Sequence, residues 1–332
     1  MRVKIQEVPL SLRRRAANHL ESIRGTPMAP GADAARLGDM ACPVYRPDLQ
    51  DIAYWEIEIK GIKQTRARGH EGQSSGLGFV LVSTGAHDLP IPHWSVEAEP
   101  PSYGLEGKVG KGKLARLVKI DTLAYAGEDQ GGNYLGHLGQ FPPRIEGRGI
   151  SAQGAPTLGE VLAAPGAKSE NDRTPGELTI VRNERASHGV KLSPWKEWRE
   201  AKAGFSDSFQ PHIDALRRRA KPNWEVEQLV EKLGEGIHEG ERMTVALLQP
   251  GTASVVGDGK KYVKLTTLER QPPAVTLEGS TNGAKGEISF QLAIKYADGS
   301  AETLEYFIVP RGTPSNKRGI TPHLPTPTMG RT

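Results

Sequence analysis

A single cysteine, Cys42, stands in the 332-residue chain, which excludes a disulfide framework and any zinc site built from several cysteines. Aromatic residues are scarce at 6%, and no apolar run approaches the ~18 residues that would span a membrane. The basic N-terminal stretch is not followed by an apolar segment of signal-peptide length. The sequence as written therefore predicts no export signal: cytoplasmic by default, extracytoplasmic if a signal has been removed. Charge of one sign is also lacking, because 43 Lys and Arg face 39 Asp and Glu, leaving a net charge of +4. That balance argues against nucleic acid as a partner. HExxH, CxxC and a complete phosphate loop are missing.

What the chain does have is Gly and Pro, 39 and 25 residues, together nearly a fifth of its length. Such a composition favours short strands and many turns over a helical bundle. The length predicts two or more domains, each able to bury its own core.

Residues 11–24 place Leu12, Ala16, Leu20 and Ile23 on one helical face, with Ser11 as a cap and Gly25 and Pro27 as the stop. Arg13, Arg14 and Arg15 then spread over a solvated side. Residues 25–51, interrupted by Pro27, Pro30, Pro43 and Pro47, read as loop with a short extended piece at 43–45. Residues 53–59 alternate strictly: Ala53, Trp55, Ile57 and Ile59 point one way, Tyr54, Glu56 and Glu58 the other. This predicts a half-buried antiparallel strand with a wet outer side. Residues 77–82 form a near-continuous apolar run, and a third extended piece covers 91–96. A helix packed on an antiparallel sheet accommodates this order.

Tyr54, the run Gly78, Phe79, Val80, Leu81, Val82, Ser83 and the segment 92–95 resemble the propeptide or inhibitor-like module that precedes streptopain-type cysteine peptidases. The resemblance covers about residues 10–100. It implies a cystatin-like α+β fold and a habit of occupying or masking a protease, with no catalytic residue carried over. No cysteine peptidase can follow, since Cys42 lies upstream.

Residues 107–113 hold Gly, four residues, Gly and Lys, but Leu114 stands where a phosphate loop needs Ser or Thr. They read as a basic turn, with Lys108, Lys111 and Lys113 in water, and no nucleotide is expected. Residues 115–125 predict a strand paired with 134–141 across the turn 128–132. Residues 1–145 thus form an α+β domain, 146–190 a Gly/Pro-rich linker with a short helix at 158–164, and 191–238 a helical connector. In the connector, Trp195 and Trp198 read as core anchors, Ile213 and Leu216 mark a helix ending near Pro222, and Asn223 caps the next. Arg217, Arg218, Arg219 and Lys221 read as a solvated basic face. Residues 243–248, 252–256, 262–268, 274–278, 287–295 and 301–309 are six strands of a 239–310 β-sandwich of immunoglobulin-like type. Residues 311–332 form a flexible tail. The fold class is accordingly α+β: an N-terminal helix on an antiparallel cystatin-like sheet, a helical connector and a C-terminal sandwich.

The reactive side chains that cluster locally are Ser83, His87, Asp88 and His93, in the turn leaving the second strand. They sketch either a metal site from His87, Asp88 and His93 or a Ser83, His87, Asp88 hydrolase. Neither has a recognised spacing, and a triad is usually assembled from separated segments. His137 and His188 read as surface or turn residues. The leading expectation is a non-catalytic protein-interaction module, inhibitor- or propeptide-like, that binds another protein through the sheet of residues 53–96 and needs no cofactor. The alternatives are a hydrolase or metal-dependent enzyme at His87, Asp88 and His93, and a self-assembling structural protein that binds itself through edge strands.

Overall fold

In a computed structural model, the described residues are 1–46, 49, 51–63, 76–119, 123–139, 217–225, 227–228, 234–284 and 286–310. The chain divides into two compact units, one of residues 1–19 and 23–221, the other of 20–22 and 222–332. The Gly/Pro-rich linker, the helix at 158–164, His188, Trp195, Trp198, Ile213, Leu216 and the tail 311–332 lie outside the described residues. Among the described residues, strands dominate, helices are few, and no helix is long and apolar enough to cross a membrane.

The first unit opens with β1 (Val3–Lys4) and helix α1 (Leu10–Ile23). Leu12, Ala16, Leu20 and Ile23 are all buried, as their spacing requires. The helix starts at the Pro9 carbonyl, which accepts from the Leu12 and Arg13 N–H groups, so Ser11 is not its cap. Arg14 and Arg15 are buried instead of solvated, and Arg15 donates from Nη1 to the Ser83 carbonyl at 3.0 Å. An arginine stem covers apolar surface while its head finds a backbone acceptor, a pattern that a run of adjacent arginines does not reveal.

The strands are β2 (Arg36–Tyr45), β3 (Tyr54–Lys60), β4 (Gly78–Ser83), β5 (His93–Ser95), β6 (Arg116–Lys119), β7 (Tyr125–Glu128) and β8 (Tyr134–Leu138). They form one sheet in the order β5-β4-β3-β2-β6-β7-β8, with β1 beside β2. All pairings are antiparallel except β2 with β6. The ten residues of β2 replace the loop expected there. On its far edge β1 pairs at Met40 and Ala41 and β6 at Val44 and Tyr45. Pro43 falls in the gap between them, where an edge tolerates a residue without an N–H. The expected single strand over 115–125 is two strands, β6 and β7, joined as a hairpin.

Between β5 and β6 runs helix α2 (Pro101–Val109), with Pro at its start and Gly110 ending it at φ 99°. The phosphate-loop-like residues therefore sit at a helix C-terminus, the wrong end to cradle an anion. A Cβ on Gly127 of β7 would collide with the Leu105 and Leu114 side chains, so the glycine lets α2 pack closely on the sheet.

The second unit has a three-stranded sheet, β10 (Arg242–Ala246), β13 (Ala274–Gly279) and β12 (Val263–Leu268), in the order β10-β13-β12. A four-stranded sheet has the order β11-β14-β15-β9, from β11 (Gly251–Val256), β14 (Ile288–Tyr296), β15 (Ala301–Val309) and β9 (Glu235–His238). One core cluster joins Val245, Val263 and Leu277 of the first with Val255, Leu292 and Ile308 of the second, so the sheets pack as a sandwich. The sandwich begins at β9, inside the region expected to be a helical connector, because β9 pairs in parallel with β15. Residues 217–225 form one continuous helix, so Pro222 does not end it and Asn223 does not cap a new one.

Candidate functional site

Residues paired across adjacent strands point to the same side of a sheet. Val44, Tyr54 and Ser83 therefore share a face, as do Cys42, Glu56 and Leu81. The face continues through His93, opposite Leu81, and through Leu117, Lys119 and Tyr125. The other face carries Trp55, Ile57, Val80, Val82 and Trp94. Helix α1 lies on that second face, where the His19 ring meets Trp94 edge-on with centroids 5.2 Å apart.

Glu56 and Glu58, read from alternation as facing water, are 2% and 3% exposed. Alternation separates the faces of a strand and does not say what covers them; here α2 covers the polar one. Ser102, in the first turn of α2, donates its N–H to Glu56 at 3.0 Å and its hydroxyl to the other carboxylate oxygen. Tyr103 donates its hydroxyl to Glu58. Burial pushes the Glu56 carboxyl up to about 7, against the pull of the two Ser102 bonds and Arg2.

At the end of this face where β2 and β4 finish, Arg46 Nη1 donates to the Tyr54 hydroxyl at 3.1 Å and to the His87 carbonyl at 2.9 Å. Tyr54 donates to Asp88 Oδ2 at 2.9 Å, and Lys119 Nζ reaches the same oxygen at 3.3 Å. Asp88 Oδ1 accepts the Leu89 N–H at 2.8 Å. Burial pushes the Asp88 carboxyl up, but Lys119, the Leu89 N–H, Tyr54 and Arg46 together hold it below its ordinary value. Asp88 and Lys119 are 2% and 4% exposed, so this ion pair is desolvated.

The four residues singled out from sequence meet in a way that opposes both reactions sketched for them. His87 Nε2 lies 3.0 Å from the Ala53 carbonyl, which can only accept, so this nitrogen carries the proton. It therefore cannot take a proton from Ser83 Oγ, 3.2 Å away, and Ser83 donates to the Gly85 carbonyl at 3.0 Å. The Asp88 oxygens accept from Tyr54, Lys119 and the Leu89 N–H, where an orienting triad carboxylate would accept from the imidazole. His93 lies further along the face, its Nδ1 2.6 Å from the Tyr125 hydroxyl and its ring edge-on to Phe79. Burial and then Lys119 lower its pKa to about 4, so His93 is neutral and pairs with the Tyr125 hydroxyl as an uncharged partner. Among the described residues, no three His, Cys, Asp or Glu side chains are grouped to hold a metal ion. His137 belongs to β8, where its Nδ1 meets the Tyr134 hydroxyl.

Sequence reading missed Arg46, Tyr54, Glu56, Lys119 and Tyr125 as partners in this cluster. The one local signal was a lysine, Lys119, amid the β-formers of 115–125. No protein-family model matches the chain, and neither a curated protein nor a solved structure matches it.

Proposed function

We propose that the chain is a non-catalytic protein-binding protein, inhibitor-like in its first unit, whose contact surface is the end of the sheet where the β2–β3 and β4–β5 connections meet. The observation that carries this reading is the Arg46, Tyr54, Asp88, Lys119 network. It ties Arg46 at the end of β2, Tyr54 at the start of β3, His87 and Asp88 of the β4–β5 connection and Lys119 at the end of β6 into one preformed edge. Thr84 adds to the tie, its N–H donating to the Ala53 carbonyl at 3.0 Å and its hydroxyl to the Ile52 carbonyl at 2.8 Å. Connections fixed before contact pay no ordering entropy on binding. Asp51, Thr84 and Ala86 are exposed along this edge.

Two likenesses of architecture support the reading. Strands β1 to β5 lie side by side in chain order with α1 on one face, an arrangement similar to the cystatin-like fold of the streptopain-type propeptide module. If β9 to β15 are lettered A to G, the second unit has sheets B-E-D and C-F-G with A beside G, an immunoglobulin-like order. Both architectures present connections at the ends of sheets as binding surfaces.

The test is titration of an active streptopain-type cysteine peptidase with the intact chain. The reading expects saturable inhibition with one-to-one stoichiometry, weakened at least tenfold by Ala86→Arg. Absence of both inhibition and a complex on size exclusion would remove the inhibitor reading. Equal potency of Ala86→Arg would remove the proposed surface.

A further inference from the structure

The strands at the edges of the sandwich differ in how they are guarded against pairing with another chain. Edge strands present unpaired backbone groups, and charge, proline or shortness usually blunts them. On the three-stranded sheet, β10 carries exposed Arg242 and β12 exposed Lys264. On the four-stranded sheet, β9 is only four residues long. The remaining edge, β11, has six residues, Gly251–Val256, with no charge and no proline among them. Among the described residues, β14 is the one strand paired with β11, on one side.

Gly251, Ala253 and Val255 oppose the core residues Tyr296, Ile294 and Leu292 and so face inward. Thr252, Ser254 and Val256 therefore form the outward row, and all three are exposed, Val256 at 41%. Past Val256 the chain turns at Gly257, with φ 79°, and Gly259 closes on the core side chain of Phe290, so this turn packs toward the core. The outward row reads alike in both directions, because Thr and Val have nearly the same shape and the smaller Ser lies between them. Such a row matches a second copy of itself turned about a two-fold axis at Ser254. Thr252 then meets Val256 of the second copy, and Ser254 meets its own counterpart. Lys295, beside Thr252 on β14, stays on the far side of both edge strands from its counterpart, so no like charges are opposed.

We propose that β11 is a self-association edge: two copies of the chain pair antiparallel through β11, about a two-fold axis at Ser254, and join their four-stranded sheets into one. The partner is a second copy of this chain. Backbone hydrogen bonds between the edge strands hold it, with Thr252 and Val256 in contact across the seam. This inference stands independently of the protein-binding reading, which concerns the first unit. A single edge buries less than the roughly 1,200 Å² of a standard interface, so the dimer should be weak, with a Kd of about 10–100 μM.

Sedimentation velocity of the intact chain over a concentration series tests this. Wild type should pass from monomer to dimer as concentration rises. Ser254→Lys and Ser254→Glu each set like charges opposite one another at the axis, and each should weaken dimerisation about fivefold or more. An equimolar mixture of the two should dimerise again, because opposite charges then meet. Ser254 is exposed, so neither change touches the core. If either variant does not fold, the near-isosteric Ser254→Cys serves in its place. Directly opposed Cβ atoms lie about 4.5–5.5 Å apart, so mild oxidation should link this variant into a covalent dimer. Wild type, whose Cys42 is buried, should stay unlinked. A wild type still monomeric at about 1 mM would overturn the proposal. So would dimers that Ser254→Lys leaves intact, a mixture no better than either variant alone, or no cross-link in Ser254→Cys.

Discussion

The Tyr125 hydroxyl lies 2.6 Å from His93 Nδ1, in hydrogen-bond contact, although β7 and β5 are separated by four intervening strands. In a flat sheet those two strands would lie about 24 Å apart, beyond the reach of two side chains. The sheet must curl around its polar face until its two flanks approach, and α2 closes part of the space that results. The curl explains why so many polar residues on one face are buried: Tyr54, Glu56, Ser83, Lys119 and Tyr125 line the inside of a trough.

Tyr125→Phe tests that closure. It removes the hydroxyl partner of His93 Nδ1 found among the described residues and leaves a largely buried polar nitrogen without it, at a cost of about 1–3 kcal/mol. Urea denaturation should show a lower midpoint with an unchanged slope. An unchanged midpoint would mean that the two flanks do not meet as described.

The Lys119 and Asp88 pair should behave as a desolvated ion pair. Lys119→Met leaves the carboxylate buried without its cation and should cost about 3–5 kcal/mol. Adding Asp88→Asn to that variant should recover part of the loss. The amide needs no counter-ion and can still accept the Leu89 N–H. Equilibrium unfolding of the single and double variants decides this, and a double variant no better than the single one would contradict it.

Glu128 on β7 is 1% exposed, its Oε2 has no hydrogen-bond partner, and burial raises its carboxyl to about 7 despite Arg116. The folded state thus holds this proton between about 4.5 and 7 while the unfolded state releases it, so stability falls as pH rises through that window. His19 and His93, both lowered to about 4, impose the opposite slope up to the ordinary histidine value. Their effect is common to wild type and variant and cancels in a comparison. Glu128→Gln should therefore gain on wild type between pH 5 and pH 8, by on the order of 2–3 kcal/mol. Unfolding curves at several pH values measure the gap, and a gap independent of pH would contradict the assignment.

Much of the fold was legible in the chain because it rested on periodicity. The stripe on α1, the alternation of β3, the apolar run of β4 and six of the seven sandwich strands follow from residue spacing alone. The failures have local causes. Strand β2 hid behind Pro43, which reads as a breaker until β1 and β6 are seen to meet on either side of it. Helix α2 carries Gly104 and Gly107 in nine residues, a composition with low helix propensity that packing overrides. Strand β9 is four residues long and pairs with β15 more than sixty residues away, a partnership no local pattern shows. For the site, the local sequence places Ser83, His87 and Asp88 in one turn, where Ser83 Oγ and His87 Nε2 come within 3.2 Å. Its meaning was not legible, because Arg46, Tyr54 and Lys119 reach it from other strands and decide which bonds those groups make.

The reading proposed above holds that Ser83, His87 and Asp88 tie connections together and do not perform chemistry. Intact-mass analysis after exposure to a serine-directed fluorophosphonate tests it most directly. With the His87 proton committed to the Ala53 carbonyl and Ser83 Oγ–H committed to Gly85, the account predicts an unmodified chain. Stoichiometric labelling that maps to Ser83 and disappears in Ser83→Ala would contradict it.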